Sequence, residues 1–171
     1  STITQQLSKM LFTNKPSSGL ERVQQKLKEW VVAIELEKRY SKNEIIAMYL
    51  NRFDWINQAV GLKSAAKIYF NTTPDKLTIN QSAMLVGMLV NPSFYNPKLN
   101  RNPEGTQNRR NVVMSQMLKY NPCKKDTIEC TKKKCYYNKI TQYEFDSLKG
   151  LPLNLDFQKV DHNEGPAPYF R

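Results

Sequence analysis

The sequence has no long hydrophobic run and contains a single histidine among its 171 residues. The longest apolar stretch, residues 83–90, contains Gly87 and is followed by Asn91-Pro92, so it is too short to span a bilayer and is typical of a buried helix. The aromatic RNP pattern, zinc-finger spacing and glycine-rich phosphate loops are absent as well. These absences leave the sequence without a recognisable nucleic-acid or nucleotide motif.

Cysteine is scarce, and the three cysteines lie close together. Cys123, Cys130 and Cys135 fall in a lysine-rich segment, residues 121–138, that we interpret as an insertion. The distant His162 and the cysteine spacings match no common zinc pattern. In an oxidising compartment two of the three could pair. Free thiols in an inserted surface loop are an equally good interpretation, and the sequence leaves the pairing open.

Basic residues, in contrast, are abundant. The chain carries 26 lysine and arginine residues against 15 acidic residues, a net charge of +11. This excess favours an anionic partner such as nucleic acid, anionic lipid head groups or a polyphosphate, but a solvated basic surface explains it equally well. The length is most simply that of one domain. Because the sequence opens at Ser1 without an initiator methionine or a signal peptide, we expect an internal piece of a longer protein.

Helix signals dominate, and the alternation typical of strands is nearly absent. Three capping boxes place a hydroxyl three residues before an acid or amide that can reach back to it. They are Ser41 with Glu44, Thr78 with Gln81, and Thr141 with Glu144. Helical segments are predicted at 21–40, 45–50, 83–90, 109–120 and 143–148, with loops at 15–19 and 91–103. The sequence therefore predicts a mostly α fold.

The long helix carries an acid in a distinctive place. Its apolar residues form one stripe at helical spacing, namely Val23, Leu27, Trp30, Val31 and Ile34. Glu29 lies on another face, beside Lys26 and Gln25 and nearly in line with Arg22. Such a carboxylate is either a functional acid or half of an ordinary surface ion pair. The residues alone favour the surface pair.

Residues 1–9 resemble the second signature motif of the peptidoglycan glycosyltransferases, the polymerase domain of class A penicillin-binding proteins. Further motifs of this family match in the same order. They are 26–29 for the third motif, 42–51 for the fourth, a later stretch with Gly61, Ala65, Ala66, Tyr69 and Phe70, the landmarks 91–93 and 95–97, and Arg109-Arg110 for the fifth. The resemblance covers about residues 1–120 and, more weakly, 140–153.

The resemblance implies a lysozyme-like, mostly α fold that is incomplete at its N-terminus. Residues 1–153 would form the C-terminal part of the glycosyltransferase domain, and residues 154–171 the start of a linker toward a transpeptidase domain. The parent would then be bifunctional. It would lie at the bacterial inner membrane, with the catalytic domain on the periplasmic or extracellular side.

The resemblance also implies the reaction. Enzymes of this family polymerise lipid II, a disaccharide-pentapeptide on undecaprenyl pyrophosphate, with the growing glycan strand as the donor. A first-motif glutamate deprotonates the 4-hydroxyl of the acceptor, which attacks the donor sugar with inversion. That motif is not in this sequence, so we expect the fragment alone to be inactive. The expected partners are lipid II, the nascent glycan strand and the membrane surface, and not nucleic acid.

Residue by residue, Glu29 matches the second glutamate, which assists departure of the pyrophosphate directly or through a divalent metal. A Mg or Mn ion would take most of its ligands from outside this sequence. The substrate-binding residues implied by the motifs are Ser1, Thr2, Gln6, Lys9 and Lys26. Helix capping is an alternative role for Thr2 and Gln6, and both roles are compatible.

The sequence departs from the family pattern at two places. Gln25 stands where the third motif has an arginine, and we hypothesise that Arg22 partly replaces that cation as a substrate-binding residue. The glycine-rich stretch usual before Gly61 is replaced by residues 53–58. We therefore assign Gly61 a structural role only. Aromatic residues near these motifs fit either a membrane interface or a core: Phe53, Trp55, Tyr69 and Phe70.

Two rival functions remain open at this point. One is a basic helical module that binds nucleic acid or anionic membranes, for which binding would depend strongly on salt and be indifferent to Glu29. The other is a degenerate family member that binds lipid II without polymerising it, which the replacement at Gln25 motivates.

Overall fold

The computed structural model describes residues 2–12, 18–97, 103–119 and 140–158. These residues form seven α-helices and no named strand. The helices are α1 (Ile3–Phe12), α2 (Gly19–Arg39), α3 (Lys42–Arg52), α4 (Leu62–Phe70), α5 (Ile79–Met88), α6 (Pro103–Lys119) and α7 (Gln142–Lys149), with a 3₁₀ turn at Pro74–Lys76 between α4 and α5. The predicted mostly α fold is confirmed. The predicted insertion at 121–138, with its cysteines, lies outside the described residues, as do Ser1, His162 and residues 159–171.

The three predicted capping boxes are all present. The side chains of Ser41, Thr78 and Thr141 each accept from the backbone N–H three residues on, and the acid or amide at that position accepts from the backbone of the cap. Each box fixes the first turn of a helix, because it satisfies two backbone N–H groups that have no partner within the helix. The starts of α3, α5 and α7 are thus determined locally.

The prediction that helix α6 begins near Arg109 is wrong. This helix begins at Pro103, so residue 103 belongs to the helix and not to the preceding loop. Proline is well suited to the first helical turn, where its missing N–H is not required. Helix α5 ends at Met88, two residues before the end of the predicted segment. No helix within the described ranges is long and apolar enough to cross a membrane.

Contacts between residues divide the chain into two compact units, residues 1–65 and 66–171. In the first unit α1 packs against both α2 and α3. Its buried apolar side chains come from these three helices, the loop that follows them and the start of α4: Leu7, Ala33, Ile45, Tyr49, Trp55, Ala59 and Ala65. Trp55 is fully buried, so it belongs to the core and not to an exposed interface.

Helix α2 exposes its apolar stripe and buries the face that carries Glu29. The residues of the predicted apolar stripe are between 52% and 68% exposed, and Leu20 at the start of the helix is 81% exposed. The buried residues are Glu29 and Ala33, one turn apart. This arrangement is the reverse of an ordinary surface helix, whose apolar stripe faces the core. The helical period of α2 was therefore predicted from the sequence, but the face that packs was not.

The loop between α3 and α4 contains three consecutive residues with left-handed backbone. Ile56, Asn57 and Gln58 have φ values of 65°, 54° and 67°. Hydrogen bonds fix this turn, since Ile56 N donates to Asp54 Oδ1 at 2.7 Å and Ala59 N donates to Ile56 O at 2.9 Å. Glycine adopts this conformation without strain. Here residues with side chains adopt this conformation, at the place where the resemblance implies a glycine-rich stretch.

The predicted structural role of Gly61 is consistent with its geometry. Its φ is +81°, and an added Cβ would lie 2.8 Å from the carbonyl oxygen of Asn51. A side chain at this position would collide with the last turn of α3.

Replacing Gln58 by Gly should therefore stabilise the protein. A left-handed residue with a side chain costs about 1–2 kcal/mol, which exceeds the extra unfolded-state entropy of glycine, about 0.5–1 kcal/mol. We expect a net gain of about 1 kcal/mol in the free energy of unfolding, measured by chemical denaturation. The matched control is Gln116→Gly in the interior of α6, which should cost about 1 kcal/mol. Equal losses at both positions would show that the turn is not strained.

In the second unit α5 packs closely against α6. A Cβ on Gly87 would lie 3.1 Å from Cγ of Arg109, so the small residue permits the close approach of the two helices. Ala83, Met114 and Ile140 form the buried centre of a cluster. Partly buried apolar residues surround it: Ile79, Val113, Leu118, Phe145 and Leu148. Tyr69 and Phe70 are also buried, which places both in the core of this unit.

A buried arginine ties α6 to the end of α7. Arg110 is fully buried, and its guanidinium donates to the carbonyl oxygens of Leu148, Lys149, Leu151 and Pro152 at 2.8–3.3 Å. It also donates to Oδ1 of the neighbouring Asn111. The final carbonyls of a helix have no partner within that helix, so this cation completes α7. Arg110 of the predicted fifth motif is therefore a structural residue.

The beginning of the predicted linker is attached to α4. Asp156 N donates to Tyr69 O at 3.0 Å, and Gln158 N donates to Ile68 O at 2.9 Å. The ring of Phe157 packs edge-on against Tyr69, with centroids 5.6 Å apart. Residues 154–158 thus pack onto the second unit, while the assignment of 154–171 as a linker stays a prediction.

Candidate active site

Glu29 is the most deeply buried acid in the described part of the chain. It lies in the middle of α2, which begins at an N-cap formed by Ser18, whose Oγ accepts from Glu21 N at 3.3 Å. Only 1% of Glu29 is exposed. The interpretation of Glu29 as half of a surface ion pair is therefore wrong. Burying a carboxylate is costly unless hydrogen bonds and an opposite charge compensate for the lost water.

Both oxygens of Glu29 have such a partner. Lys26 Nζ donates to Oε2 at 2.6 Å, and Gln25 Nε2 donates to Oε1 at 3.1 Å. The predicted neighbours at one helical turn are thus confirmed. The Lys26 side chain remains 46% exposed. The ion pair therefore links a buried carboxylate to an ammonium group that still has access to a ligand.

Gln25 and Arg22 differ from the expectation for this motif. Gln25 supplies a neutral hydrogen bond to Glu29 at the position where the motif has an arginine. Arg22 is exposed and, among the described residues, makes no ion pair with Glu29 or with another acid. Lys26 is consequently the single cation bound to Glu29 in the described structure. Whether Arg22 acts on a bound substrate stays a prediction.

Helix α1 presents the residues of the second motif. Thr2 is its N-cap, since Thr2 Oγ1 accepts from Gln5 N and Gln5 Oε1 accepts from Thr2 N, both at 3.2 Å. The capping role proposed for Thr2 is thereby confirmed. Lys9 is exposed in the last turn of α1. The predicted site residue Ser1 lies outside the described residues.

Gln6 does not cap the helix through its side chain. Its Oε1 accepts a hydrogen bond from the hydroxyl of Tyr49 on α3, at 3.0 Å. On the neighbouring face Thr4 Oγ1 donates to Glu37 Oε1 of α2, at 2.7 Å. The polar side chains of α1 thus bind to both helices on which it packs, so the second and third motifs lie on adjacent helices.

A groove in the first unit does not coincide with these residues. It has a volume of about 370 Å³ and is lined mostly by apolar surface. Its lining residues are Ile3, Glu37, Tyr40, Lys42, Ile45 and Ile46. Because neither Glu29 nor Lys26 lines it, the groove is not the candidate active site.

One contact of the site was not predicted from the sequence, the hydrogen bond between Tyr49 and Gln6. Tyr49 was recognised only as part of the fourth motif. The spacing of Tyr49 four residues after Ile45 indicates a buried face of α3, but no local signal identifies Gln6, 43 residues away, as its partner. The contact of Gln25 with Glu29, in contrast, follows from helical spacing, because the two residues are one turn apart.

A buried carboxylate that anchors a half-exposed lysine one turn away on the same helix indicates a site for an anionic ligand. Residues 1–118 match the family model described as transglycosylase, and the chain belongs to this family. Penicillin-binding protein 1A of Escherichia coli K12 is 41% identical over 157 residues, which cover 92% of this chain and 16% of that protein. The predicted resemblance is thus confirmed.

Two further relatives extend this comparison. Penicillin-binding protein 2a of Streptococcus pneumoniae R6 is 41% identical over 118 residues, which cover 69% of this chain and 15% of that protein. The biosynthetic peptidoglycan transglycosylase of Dechloromonas aromatica RCB is 35% identical over 117 residues, 68% of this chain and 48% of that protein. The chain thus spans about a sixth of the penicillin-binding proteins it matches and about half of the transglycosylase.

Proposed function

We propose that the chain is the C-terminal part of a peptidoglycan glycosyltransferase domain, residues 1–153, in a longer bifunctional protein. Its substrate is lipid II, which it joins into glycan strands for the cell wall. The observation that carries this proposal is the buried Glu29, paired to Lys26 at 2.6 Å in a chain of the transglycosylase family. The longer relatives support a transpeptidase domain beyond residue 153.

In the proposed reaction the 4-hydroxyl oxygen of lipid II attacks C1 of the donor sugar. A base outside this chain takes the hydroxyl proton, and the C1–oxygen bond to the pyrophosphate breaks. The pyrophosphate leaves with that electron pair and so gains negative charge, which nearby cations stabilise. Lys26 is suited to this role because Glu29 occupies one of its N–H donors and leaves two for phosphate oxygens. Lys9 would add a second point charge.

The residues described here do not by themselves fit a divalent metal. Both Glu29 oxygens accept N–H donors, and the described residues contain no group of three acids, histidines or cysteines that could bind an ion. Magnesium and manganese prefer several oxygen ligands. A divalent metal would therefore need most of its ligands from elsewhere in the longer protein, and such a metal remains part of the proposal.

The proposed location is the outer side of the bacterial inner membrane. The substrate carries a polyprenyl chain that lies in the bilayer, and a basic protein surface is attracted to anionic head groups. The net charge of +11 supports this location.

A second candidate function is binding of lipid II without polymerisation. Gln25 favours it, because a neutral amide replaces a cation beside the leaving group. The two functions are distinguished by incubating the full-length protein with fluorescent lipid II and separating the products by size. Glycan strands support the polymerase, and binding without strands supports the second candidate. If binding is absent, or is salt-dependent and unchanged by Glu29→Gln, neither function is correct.

Arg22 provides a test of how the missing motif arginine is replaced. It lies seven residues before Glu29 on the same face of α2, whereas Lys28 lies on another face. Both side chains are exposed. Arg22→Ala should therefore reduce the rate of lipid II polymerisation by about tenfold, and Lys28→Ala by less than twofold. Equal small effects would show that Arg22 does not act on the substrate.

A further inference from the structure

A hydrogen bond between α3 and α1 holds one of the predicted substrate-binding side chains. Tyr49 is 3% exposed, and its hydroxyl donates to Gln6 Oε1 at 3.0 Å. The ring of Tyr49 also packs against Phe53, with centroids 5.7 Å apart. A buried ring with a neighbour on α3 and a hydrogen bond to α1 has little freedom to move, so it is a rigid support for the side chain of Gln6.

The hydrogen bond from Tyr49 sets which end of the Gln6 carboxamide faces the phenol. Burial raises the pKa of Tyr49 above its ordinary value, so the hydroxyl keeps its proton at neutral pH. The atom opposite the hydroxyl is the carbonyl oxygen of the carboxamide, which can only accept, so the hydroxyl donates to it. The amide nitrogen of Gln6 is then directed away from Tyr49.

This nitrogen has no hydrogen-bond partner in the described part of the chain, where the Tyr49 hydroxyl is the only partner of the Gln6 side chain. Its two N–H groups are therefore available to an acceptor. Phosphate oxygens only accept hydrogen bonds, and Gln6 lies on the helix that also carries Lys9. A neutral donor whose orientation is fixed complements such a cation, because it adds direction to the binding of an anion.

We infer that Tyr49 is a positioning residue whose hydroxyl orients the Gln6 carboxamide so that both N–H donors face the pyrophosphate of a polyprenyl-linked donor sugar. This inference rests on the proposed function in one respect, that α1 faces this pyrophosphate. Tyr49 does not touch the substrate and acts only through Gln6.

A double-mutant cycle tests the inference in the full-length protein. The probe is fluorescent lipid II, which carries the same pyrophosphate as the growing strand, and the measured quantity is its dissociation constant. Tyr49→Phe should weaken binding about five- to tenfold, the effect of losing one hydrogen bond that orders a donor. In the Gln6→Ala background the same substitution should change binding by less than twofold, since the group that Tyr49 orients is already gone.

Two further variants separate positioning from folding. Tyr69→Phe removes the hydroxyl of another buried tyrosine, in the second unit, and should leave lipid II binding unchanged. Gln6→Glu keeps an acceptor for the Tyr49 hydroxyl but removes the N–H donors, so it should weaken binding at least as much as Gln6→Ala. This variant remains informative if Tyr49→Phe unfolds, and unchanged binding by Gln6→Glu would overturn the inference.

Polymerisation by the unsubstituted protein is measured in parallel. If the effects of Tyr49→Phe and Gln6→Ala on lipid II binding are coupled but no glycan strands form, the polymerase function is refuted and the role of Tyr49 is supported. If glycan strands form but the effects of the two substitutions on binding are additive, the polymerase function is supported and the role of Tyr49 is refuted. If the unsubstituted protein does not bind lipid II, both conclusions are wrong.

Discussion

Replacing Glu29 by Gln should reduce lipid II polymerisation by about 100- to 1,000-fold, the range found when a group that stabilises transition-state charge is lost. The carboxylate accepts N–H donors at both oxygens, from Gln25 and Lys26. A carboxamide has one oxygen and one amide nitrogen, so one of these donors would meet another donor. Lys26 would also lose its counter-charge. Its ammonium would then no longer be held where the pyrophosphate leaves.

The rate should fall without loss of the fold. A neutral carboxamide is cheaper to bury than a carboxylate, so the free energy of unfolding should change by less than about 2 kcal/mol. The measurement is the rate of glycan strand formation by the full-length protein, with thermal unfolding of the same sample. A variant that polymerises at the unsubstituted rate would show that Glu29 is not the second catalytic glutamate.

Glu35 offers a matched control on the same helix. Its carboxylate also pairs with basic neighbours, with Arg39 at 2.7 Å and Lys38 at 3.9 Å, but its side chain is 49% exposed. An exposed ion pair contributes little to stability. Glu35→Gln should therefore leave polymerisation within twofold of the unsubstituted rate. A comparable loss in both variants would mean that the charge of α2 matters and the burial of Glu29 does not.

The sequence was sufficient wherever the determinant lies within one helical turn. The box of Ser41 and Glu44 was predicted with its correct residues, because both partners and the backbone groups they satisfy are three residues apart. The neighbours of Glu29 were found in the same way, from helical spacing. Gly61 was correctly assigned to structure, and its positive φ and the nearby Asn51 carbonyl explain the assignment.

The burial of α2 could not be predicted, because periodicity gives the direction of an apolar face but not the element that covers it. By that criterion Val23, Leu27 and Val31 would face the core, and Glu29 would face solvent. In the structure α1 packs against α2, and the buried residues of α2 are Glu29 and Ala33, on the face away from the apolar stripe. A small residue one turn from a buried acid permits this close helix contact. The sequence alone does not distinguish the two orientations.

Long-range hydrogen bonds were missed for a related reason. Tyr49 and Gln6 are separated by 43 residues, and Arg110 binds carbonyl groups 38–42 residues away. No spacing rule connects such pairs, since their proximity results from the packing of whole helices. The resemblance identified four motifs of the family in this sequence. It did not indicate which residues of each motif bind a substrate and which stabilise the fold.

Among the motif residues that stabilise the fold, Arg110 is the one whose replacement should change stability most. Replacing Arg110 by Met should lower the free energy of unfolding by about 3 kcal/mol, because hydrogen bonds from a charged donor are strong and buried carbonyls without a donor are costly. For a protein of this size we expect the thermal midpoint to fall by about 6–12 °C. Burial lowers the pKa of Arg110, but an arginine still carries its charge at neutral pH.

The neighbouring arginine provides the control. Arg109 Nε is buried without a hydrogen-bond partner in the described part of the chain, and its Cγ packs against Gly87. Arg109→Met keeps an unbranched apolar side chain there, so the free energy of unfolding should change by less than about 1 kcal/mol. Equal losses from the two substitutions would show that the stability effect of Arg110 does not come from its hydrogen bonds to the carbonyls at and after the end of α7.

The rate per folded molecule then separates a structural residue from a catalytic one. Well below the new thermal midpoint, Arg110→Met should polymerise lipid II at a rate within threefold of the unsubstituted protein, once the folded fraction is taken into account. Glu29→Gln should show the opposite pattern, with a normal midpoint and almost no strands. The contrast follows from their partners. Among the described residues Arg110 binds only backbone carbonyls and its neighbour Asn111, whereas Glu29 binds a lysine that remains half exposed. A large rate loss in a folded Arg110→Met protein would instead place the fifth motif at the reacting groups.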